Sequence, residues 1–221
     1  MKRSPASLRR MNGPETRDPA AGDTLVDADS FLAEDDVMRD ARSAAAVLGC
    51  DPVSAGVGGA LRFVAVAVRA RAVVEIGTGT GLSGMWLLRG MVPDGTLTSI
   101  DVEPEHQRIA RAAFRAAGHG PSRLRLINGM GLEVLPRLTD GGYDLVFVDS
   151  SPADHPRYLD EAVRLLRPGG VVALHGTLDP RAGASAVAGL LECARQVRED
   201  DRLAPALLPL GLGLLAAVKQ S

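Results

Sequence analysis

Aromatic side chains are scarce in this chain: one Trp, two Tyr and four Phe, three per cent of 221 residues. It therefore offers no obvious stacking platform for a planar ligand such as a phenol. Cysteine is nearly absent too. Cys50 and Cys193 lie in different segments without the spacing of a metal site, so they read as small buried residues of a reducing, cytoplasmic compartment. An excess of basic charge is missing: 25 Lys and Arg against 27 Asp and Glu leave a net charge of −2, which argues against a general nucleic-acid binder. No apolar stretch reaches the roughly 18–20 residues of a membrane span. The basic start Met1-Lys-Arg-Ser-Pro has no apolar core behind it, so a secretory signal is not expected. Residues 1–23 hold three prolines and few large apolar residues, and are expected to be disordered. The remainder, 24–221, is expected to form one domain.

What the chain does have is a glycine run. Residues 72–83 read Ala-Val-Val-Glu-Ile-Gly-Thr-Gly-Thr-Gly-Leu-Ser, an apolar strand ending in three alternate glycines and opening a helix. Gly77, Gly79 and Gly81 let a ligand approach the main chain, and the helix from about Leu82 offers free N–H groups to an anion. A dinucleotide fold would put its third glycine five places after the first; that position is Leu82, and Gly81 sits at four. Glu75 is costly inside such a strand unless it has hydrogen-bond partners. Asp101 ends the next strand, twenty residues after Gly81, where a carboxylate can accept both ribose hydroxyls of an adenosine. The competing reading is a tight strand-to-helix turn with a solvated acid beyond it.

Hydrophobic periodicity predicts helices near 31–48, 57–69, 82–91, 104–117, 131–138, 155–166 and 184–198. Strands are predicted near 72–76, 96–101, 123–128, 143–149 and 170–175. Continuous apolar runs such as Tyr143-Asp-Leu-Val-Phe-Val148 suit strands covered on both faces, and alternation with helices implies a parallel sheet. Residues 205–210 and 212–218 meet at Gly211 with no room for a crossover helix, so they should pair antiparallel at an edge, where Pro209 is tolerable.

The whole is an α/β arrangement that resembles the Rossmann-like class I S-adenosylmethionine-dependent methyltransferase fold, a largely parallel seven-stranded sheet with a C-terminal antiparallel hairpin and helices on both faces. Residues from about 30 to 218 resemble the bacterial O-methyltransferases related to catechol and caffeoyl-CoA O-methyltransferases. The stretches that carry this are 73–83, Ser-Ile-Asp-Val-Glu-Pro-Glu (99–105), Gly-Met-Gly-Leu-Glu-Val-Leu-Pro (129–136), Tyr-Asp-Leu-Val-Phe-Val-Asp (143–149) and Leu-Leu-Arg-Pro-Gly-Gly-Val (165–171). The resemblance implies S-adenosyl-L-methionine as cofactor and a small-molecule methyl acceptor. Glu75, Gly77, Gly79 and Gly81 would shape the pocket, Ser83 would donate to the methionine carboxylate, and Asp101 would hold the ribose. Gly129, Met130 and Gly131 would border the adenine, Val53 would touch the methionine end, and Asp149 would face the ammonium. Ser83 as a helix-start residue, and Met130 and Val53 as packing, are the plainer readings. A homodimer through the acidic, alanine-rich N-terminal helix is expected.

Metal-dependent members of that family follow their equivalent of Asp149 with Ala-Asp-Lys and end the fifth strand with Asp-Asn. Here the stretches are Asp149-Ser150-Ser151-Pro152 and Leu174-His175-Gly176, so no metal is expected. His175 becomes the candidate general base, with Asp149 beside it in the catalytic set. His175 as a merely structural group at the top of the sheet is the alternative. His155 is a weaker candidate, and His106 and His119 are expected to be solvated. A nicotinamide-dependent oxidoreductase and a silent cofactor-binding protein are the other functional classes this sequence allows.

Overall fold

A computed structural model of the chain describes residues 27–220, and the tail expected over 1–23 lies outside them. Seven strands form one sheet: β1 (Ala72–Ile76), β2 (Thr96–Asp101), β3 (Leu124–Asn128), β4 (Tyr143–Val148), β5 (Leu166–His175), β6 (Leu203–Leu208) and β7 (Leu214–Lys219). Their order is β3-β2-β1-β4-β5-β7-β6. The first five run parallel, and β7 inserts antiparallel between β5 and the edge strand β6. The expected class of fold is therefore the one observed.

Because side chains alternate across a strand, each buried strand feeds two cores. Val73, Leu97, Leu145, Phe147 and Ala173 point to one face, where they meet Met38, Leu61, Trp86 and Phe114. These come from α2 (Asp36–Leu48), α3 (Ala55–Ala67), α4 (Leu82–Gly90) and α5 (Pro104–Ala116). Val74, Ile100, Val146, Val148 and Leu174 point the other way, onto Leu159, Val163, Cys193 and Val197 of α7 (His155–Leu165) and α8 (Ala184–Glu199). All the connections from β1 to β5 leave the carboxyl ends of the parallel strands along one rim, which is where open α/β sheets bind ligands.

Four predicted boundaries move. The helix expected over 31–48 is two: a single turn, α1 (Ala28–Phe31), and then α2, restarted where the Asp35 carboxylate accepts from Met38 N at 3.0 Å. The segment 131–138 is helical only over α6 (Gly131–Val134) and tightens into a 3₁₀ turn at Leu135–Arg137, where Pro136 has no N–H to give. Strand β5 starts at Leu166, earlier than expected, with a register shift that absorbs the Arg167-Pro-Gly-Gly170 stretch before regular pairing resumes at Val171. Pro209 lies just beyond the edge strand, and it is Pro205 that sits within it. Met38, Ala41 and Ala45 of α2 are buried within this chain, so much of the alanine face expected to meet a second copy is already occupied.

Candidate active site

The three glycines of the β1–α4 turn do three different things. A Cβ on Gly77 would stand 2.0 Å from the Asp149 carbonyl oxygen, so this glycine lets the ends of β1 and β4 close together. A Cβ on Gly81 would lie 3.1 Å from both Ala110 and Phe114, so this one admits α5. Only Gly79, with φ +49°, faces open space. That space is a cleft of about 420 Å³ along the strand ends, within the usual range for a small-ligand site.

Glu75 does not line the cleft. Fully buried beneath the turn, it accepts from Ser83 Oγ and Ser99 Oγ, each at 2.6 Å. The chain continues from Ser99 Oγ to Thr78 Oγ1 at 2.7 Å and on to Gln107 Nε2 at 2.8 Å. Burial pushes the Glu75 carboxyl up to about 7 against the pull of its two serine hydrogen bonds, with the charges of Asp149 and Asp101 adding to the rise. Ser83 borders the cleft, but its hydroxyl proton goes to Glu75, a different partner from the ligand carboxylate expected for it. What α4 offers an anion is its uncapped first turn, since Gly81 supplies no side-chain cap.

Asp101 stands on the cleft wall. Its carboxylate is oriented by Gly79 N and Glu103 N, both at 2.9 Å, and by His106 Nδ1 at 3.3 Å. His106 was expected in solvent; it lines the cleft instead, because it falls in the first turn of α5 and its ring turns back toward Asp101. Its Nε2 lies 3.1 Å from Cys50 Sγ. His119 is half-buried rather than solvated, its imidazole held below the usual histidine range by burial and by Arg123 and Arg89. Gly129 and Gly131 border the cleft, whereas Met130 between them is 56% exposed, neither core nor lining. Tyr158 reaches the lining from α7, its hydroxyl 2.8 Å from where a Cβ on Gly131 would be. Val53 is both buried and part of the lining, so packing and ligand contact coexist there.

At the ends of β4 and β5, Asp149 Oδ1 lies 2.9 Å from His175 Nδ1. Asp149 borders the cleft; His175 stands behind it, 5% exposed. A carboxylate facing Nδ1 fixes the proton there and leaves Nε2 as the basic nitrogen. His155, the first residue of α7, is fully buried near this pair, and desolvation lowers its imidazole to about 4, so it is neutral near pH 7. Among the described residues around the ends of β4 and β5, Ser150 Oγ, both His155 nitrogens, His175 Nε2 and Thr177 Oγ1 are buried without a hydrogen-bond partner; beside the β1–α4 turn the same holds of Thr80 Oγ1 and Gln107 Oε1. The loop after β5 is tied across the cleft mouth by Arg181, which bonds Asp51 at 2.6 Å.

Comparison with known proteins finds one consistent family. A family model described as O-methyltransferase matches residues 30–220. A putative O-methyltransferase of Mycolicibacterium vanbaalenii is 54% identical over 198 residues, covering 87% of this chain and 88% of that one. A probable O-methyltransferase of Mycobacterium tuberculosis is 49% identical over 208 residues, 91% of this chain and 93% of the relative. Among solved structures, the Streptomyces achromogenes O-methyltransferase TomG, involved in tomaymycin synthesis and in complex with SAM, superposes with a TM-score of 0.78 at 28% identity, over 86% of this chain and 92% of that one. A Corynebacterium glutamicum protein gives 0.80 at 32% identity, over 88% and 94%.

Proposed function

The chain belongs to the O-methyltransferase family and uses S-adenosylmethionine to methylate oxygen; from that premise we propose that its acceptor is a small-molecule hydroxyl and that the Asp149–His175 pair, without the family's divalent metal, receives the hydroxyl proton. Membership disfavours the nicotinamide-dependent and silent alternatives, and turnover is what separates the latter. The single observation that carries the proposal is the 2.9 Å contact between Asp149 Oδ1 and His175 Nδ1 at the rim of the cleft.

The residues present suit the cofactor. Gly79 leaves its main chain open to a ligand, the α4 amides meet a carboxylate, Asp101 meets ribose hydroxyls, and Asp149 supplies negative charge for an ammonium. When bound, S-adenosylmethionine supplies an electrophilic methyl on a sulfonium. The protein's part is then alignment, exclusion of water and proton transfer. Asp149 keeps His175 in the tautomer whose Nε2 can accept a proton, and it stabilises the imidazolium that forms. Because Nε2 is screened from solvent, the acceptor reaches it only when the loop after β4 or β5 shifts.

The same residues do not suit Mg²⁺. Asp149 is engaged by His175, Gly176 has no side chain, and Pro152 stands where a lysine would serve as base. A hard cation wants several oxygen ligands in octahedral array. Two free thiols, Cys50 and Cys193, support a reducing cytoplasmic setting, and exposed Phe63 and Val66 on α3 support a homodimer.

The test is formation of S-adenosylhomocysteine against a panel of phenolic and aliphatic hydroxyl compounds, with and without EDTA. Turnover that survives chelation and falls in His175→Ala is the expected result. Turnover abolished by EDTA and restored by Mg²⁺ rejects the metal-free reading.

A further inference from the structure

The ribose acid is not held by the turn alone. Cys50, His106 and Asp101 form one hydrogen-bonded chain, and all three line the same cleft. The ends of the chain belong to different parts of the fold. Asp101 closes β2, whereas Cys50 follows Gly49, the left-handed cap of α2, and is fixed by its own N–H to Ala45 O at 2.9 Å. Cys50 therefore begins the segment 50–54 that carries Asp51, Pro52 and Val53 along the mouth of the cleft.

The proton positions follow from the partners. Facing a carboxylate, His106 Nδ1 carries its proton, so Nε2 is left as an acceptor for the Cys50 S–H. Burial and the nearby Asp101 charge push the Cys50 thiol up from its usual value, which keeps it protonated and donating. A Cys-His-Asp set is also an arrangement used in nucleophilic catalysis, but that chemistry needs a thiolate, and this environment opposes one. The chain is a support.

We propose that His106 is a positioning residue of the cofactor pocket, holding Asp101 in its ribose-accepting orientation through Nδ1 and tying the mouth segment to it through Cys50. The two backbone donors, Gly79 N and Glu103 N, fix the carboxylate from the turn and from the start of α5; His106 supplies the remaining side-chain donor, on the oxygen shared with Gly79. Ligand occupancy at Asp101 is thereby coupled to the position of Cys50. The inference rests on the reading of Asp101 as the ribose residue, so that residue serves as the control.

The experiment is calorimetry with S-adenosylhomocysteine on the full chain, together with the rate of Cys50 alkylation by iodoacetamide. Cys193 is buried and its thiol pushed up to about 12, so Cys50 dominates the labelling, with the modified site read by mass spectrometry. His106→Ala should weaken binding about five- to thirtyfold, the loss of one hydrogen bond to a charged group. His106→Asn, whose amide nitrogen takes the place of Nδ1, should restore most of it. Saturating S-adenosylhomocysteine should slow Cys50 alkylation at least tenfold in the parent chain and clearly less in His106→Asn, which has no Nε2 to hold the thiol; a ligand that merely covers the cleft would protect Cys50 equally in both. Full affinity in His106→Ala with a clear loss in Asp101→Ala overturns the positioning role and leaves the ribose reading intact. Full affinity in both overturns the ribose reading itself. Should His106→Ala fail to fold, the Asn variant and the parent chain decide: alkylation unaffected by the ligand, or protected equally in the two, overturns the coupling.

Discussion

The two halves of the cleft rim differ in how far they link their buried polar groups. Under the β1–α4 turn, Glu75, Ser83, Ser99, Thr78 and Gln107 are joined side chain to side chain by bonds of 2.6–2.8 Å. Beyond β4 and β5, Ser150, His155, His175 and Thr177 keep buried polar atoms with no partner among the described residues. That network leaves Gln107 Oε1 over, and Thr80 Oγ1 of the turn stands outside it, but its linked members are rigid and preorganised, as a site for a constant ligand should be. Unsatisfied buried atoms cost about 1–3 kcal/mol each and call for an occupant or a function. The contrast teaches that the half proposed for the cofactor is tied together by its own side chains, while the half proposed for the acceptor is built to receive something.

The largest effect should separate the halves by kind of measurement. His175→Ala should lower turnover by about 10²–10⁴, while affinity for S-adenosylhomocysteine barely changes. An unaltered rate would leave alignment alone as the source of acceleration, and the β4–β5 half would then be a binding surface only.

Next in size is the proton at Glu75. Its carboxyl is raised from 4.5 to about 7, so between those values the folded chain binds a proton that the unfolded chain releases. Stability from this group is thus greatest below pH 4.5 and is lost as pH rises through 7, by about 3 kcal/mol at most. His155, lowered from 6.5 to about 4, has the opposite sign: its contribution is present above 6.5 and lost as pH falls toward 4. The two slopes oppose each other over nearly the same window. Urea unfolding of the parent chain should therefore vary little from pH 4.5 to 6.5, and Glu75→Gln should expose a stability that rises with pH. A variant that stays flat would show that the two halves are not balanced in this way.

Asp101→Ala should weaken binding of S-adenosylhomocysteine by about 1–3 kcal/mol, since a charged acceptor of two hydroxyls is removed. Calorimetry reads it directly. A loss confined to thermal stability would reduce Asp101 to a clamp on Gly79 and Glu103.

How far the sequence discloses each half follows from the same contrast. The cofactor half is written in local spacing: a strand, three glycines, a helix and an acid one strand later, all within thirty residues, so Gly79 and Asp101 could be placed from sequence alone. Partner choice is less legible. Ser83 could not be assigned to Glu75 without knowing how deeply both are buried, and His106 needed its helix register, although its place five residues after Asp101 in a first turn is a usable signal. Gly77 and Gly81 looked like ligand glycines because close approach of a helix or strand and close approach of a ligand demand the same residue. The acceptor half is defined by what its side chains fail to touch, and no spacing records a missing partner. His155 shows this best, since a histidine before Pro156 reads as a helix start and is in fact fully buried.

The smallest predicted change is at His155, and it tests what the unpartnered atoms are for. If its two nitrogens serve only packing, His155→Leu, close in volume, removes two unsatisfied polar atoms from the interior and should be neutral or stabilise the chain by about 1 kcal/mol. The matching change in the other half, Ser99→Ala, removes a satisfied donor from Glu75 and should destabilise by about 1–3 kcal/mol, because the carboxyl loses a bond it cannot replace in the core. Unfolding midpoints in urea at pH 7 compare the two. A His155→Leu variant that is more stable yet slower in methyl transfer would mark His155 as retained for the reaction at a cost to the fold. One that is clearly destabilised would mean that the imidazole has partners the chain's own side chains do not supply, and the contrast between the halves would narrow to His175 alone.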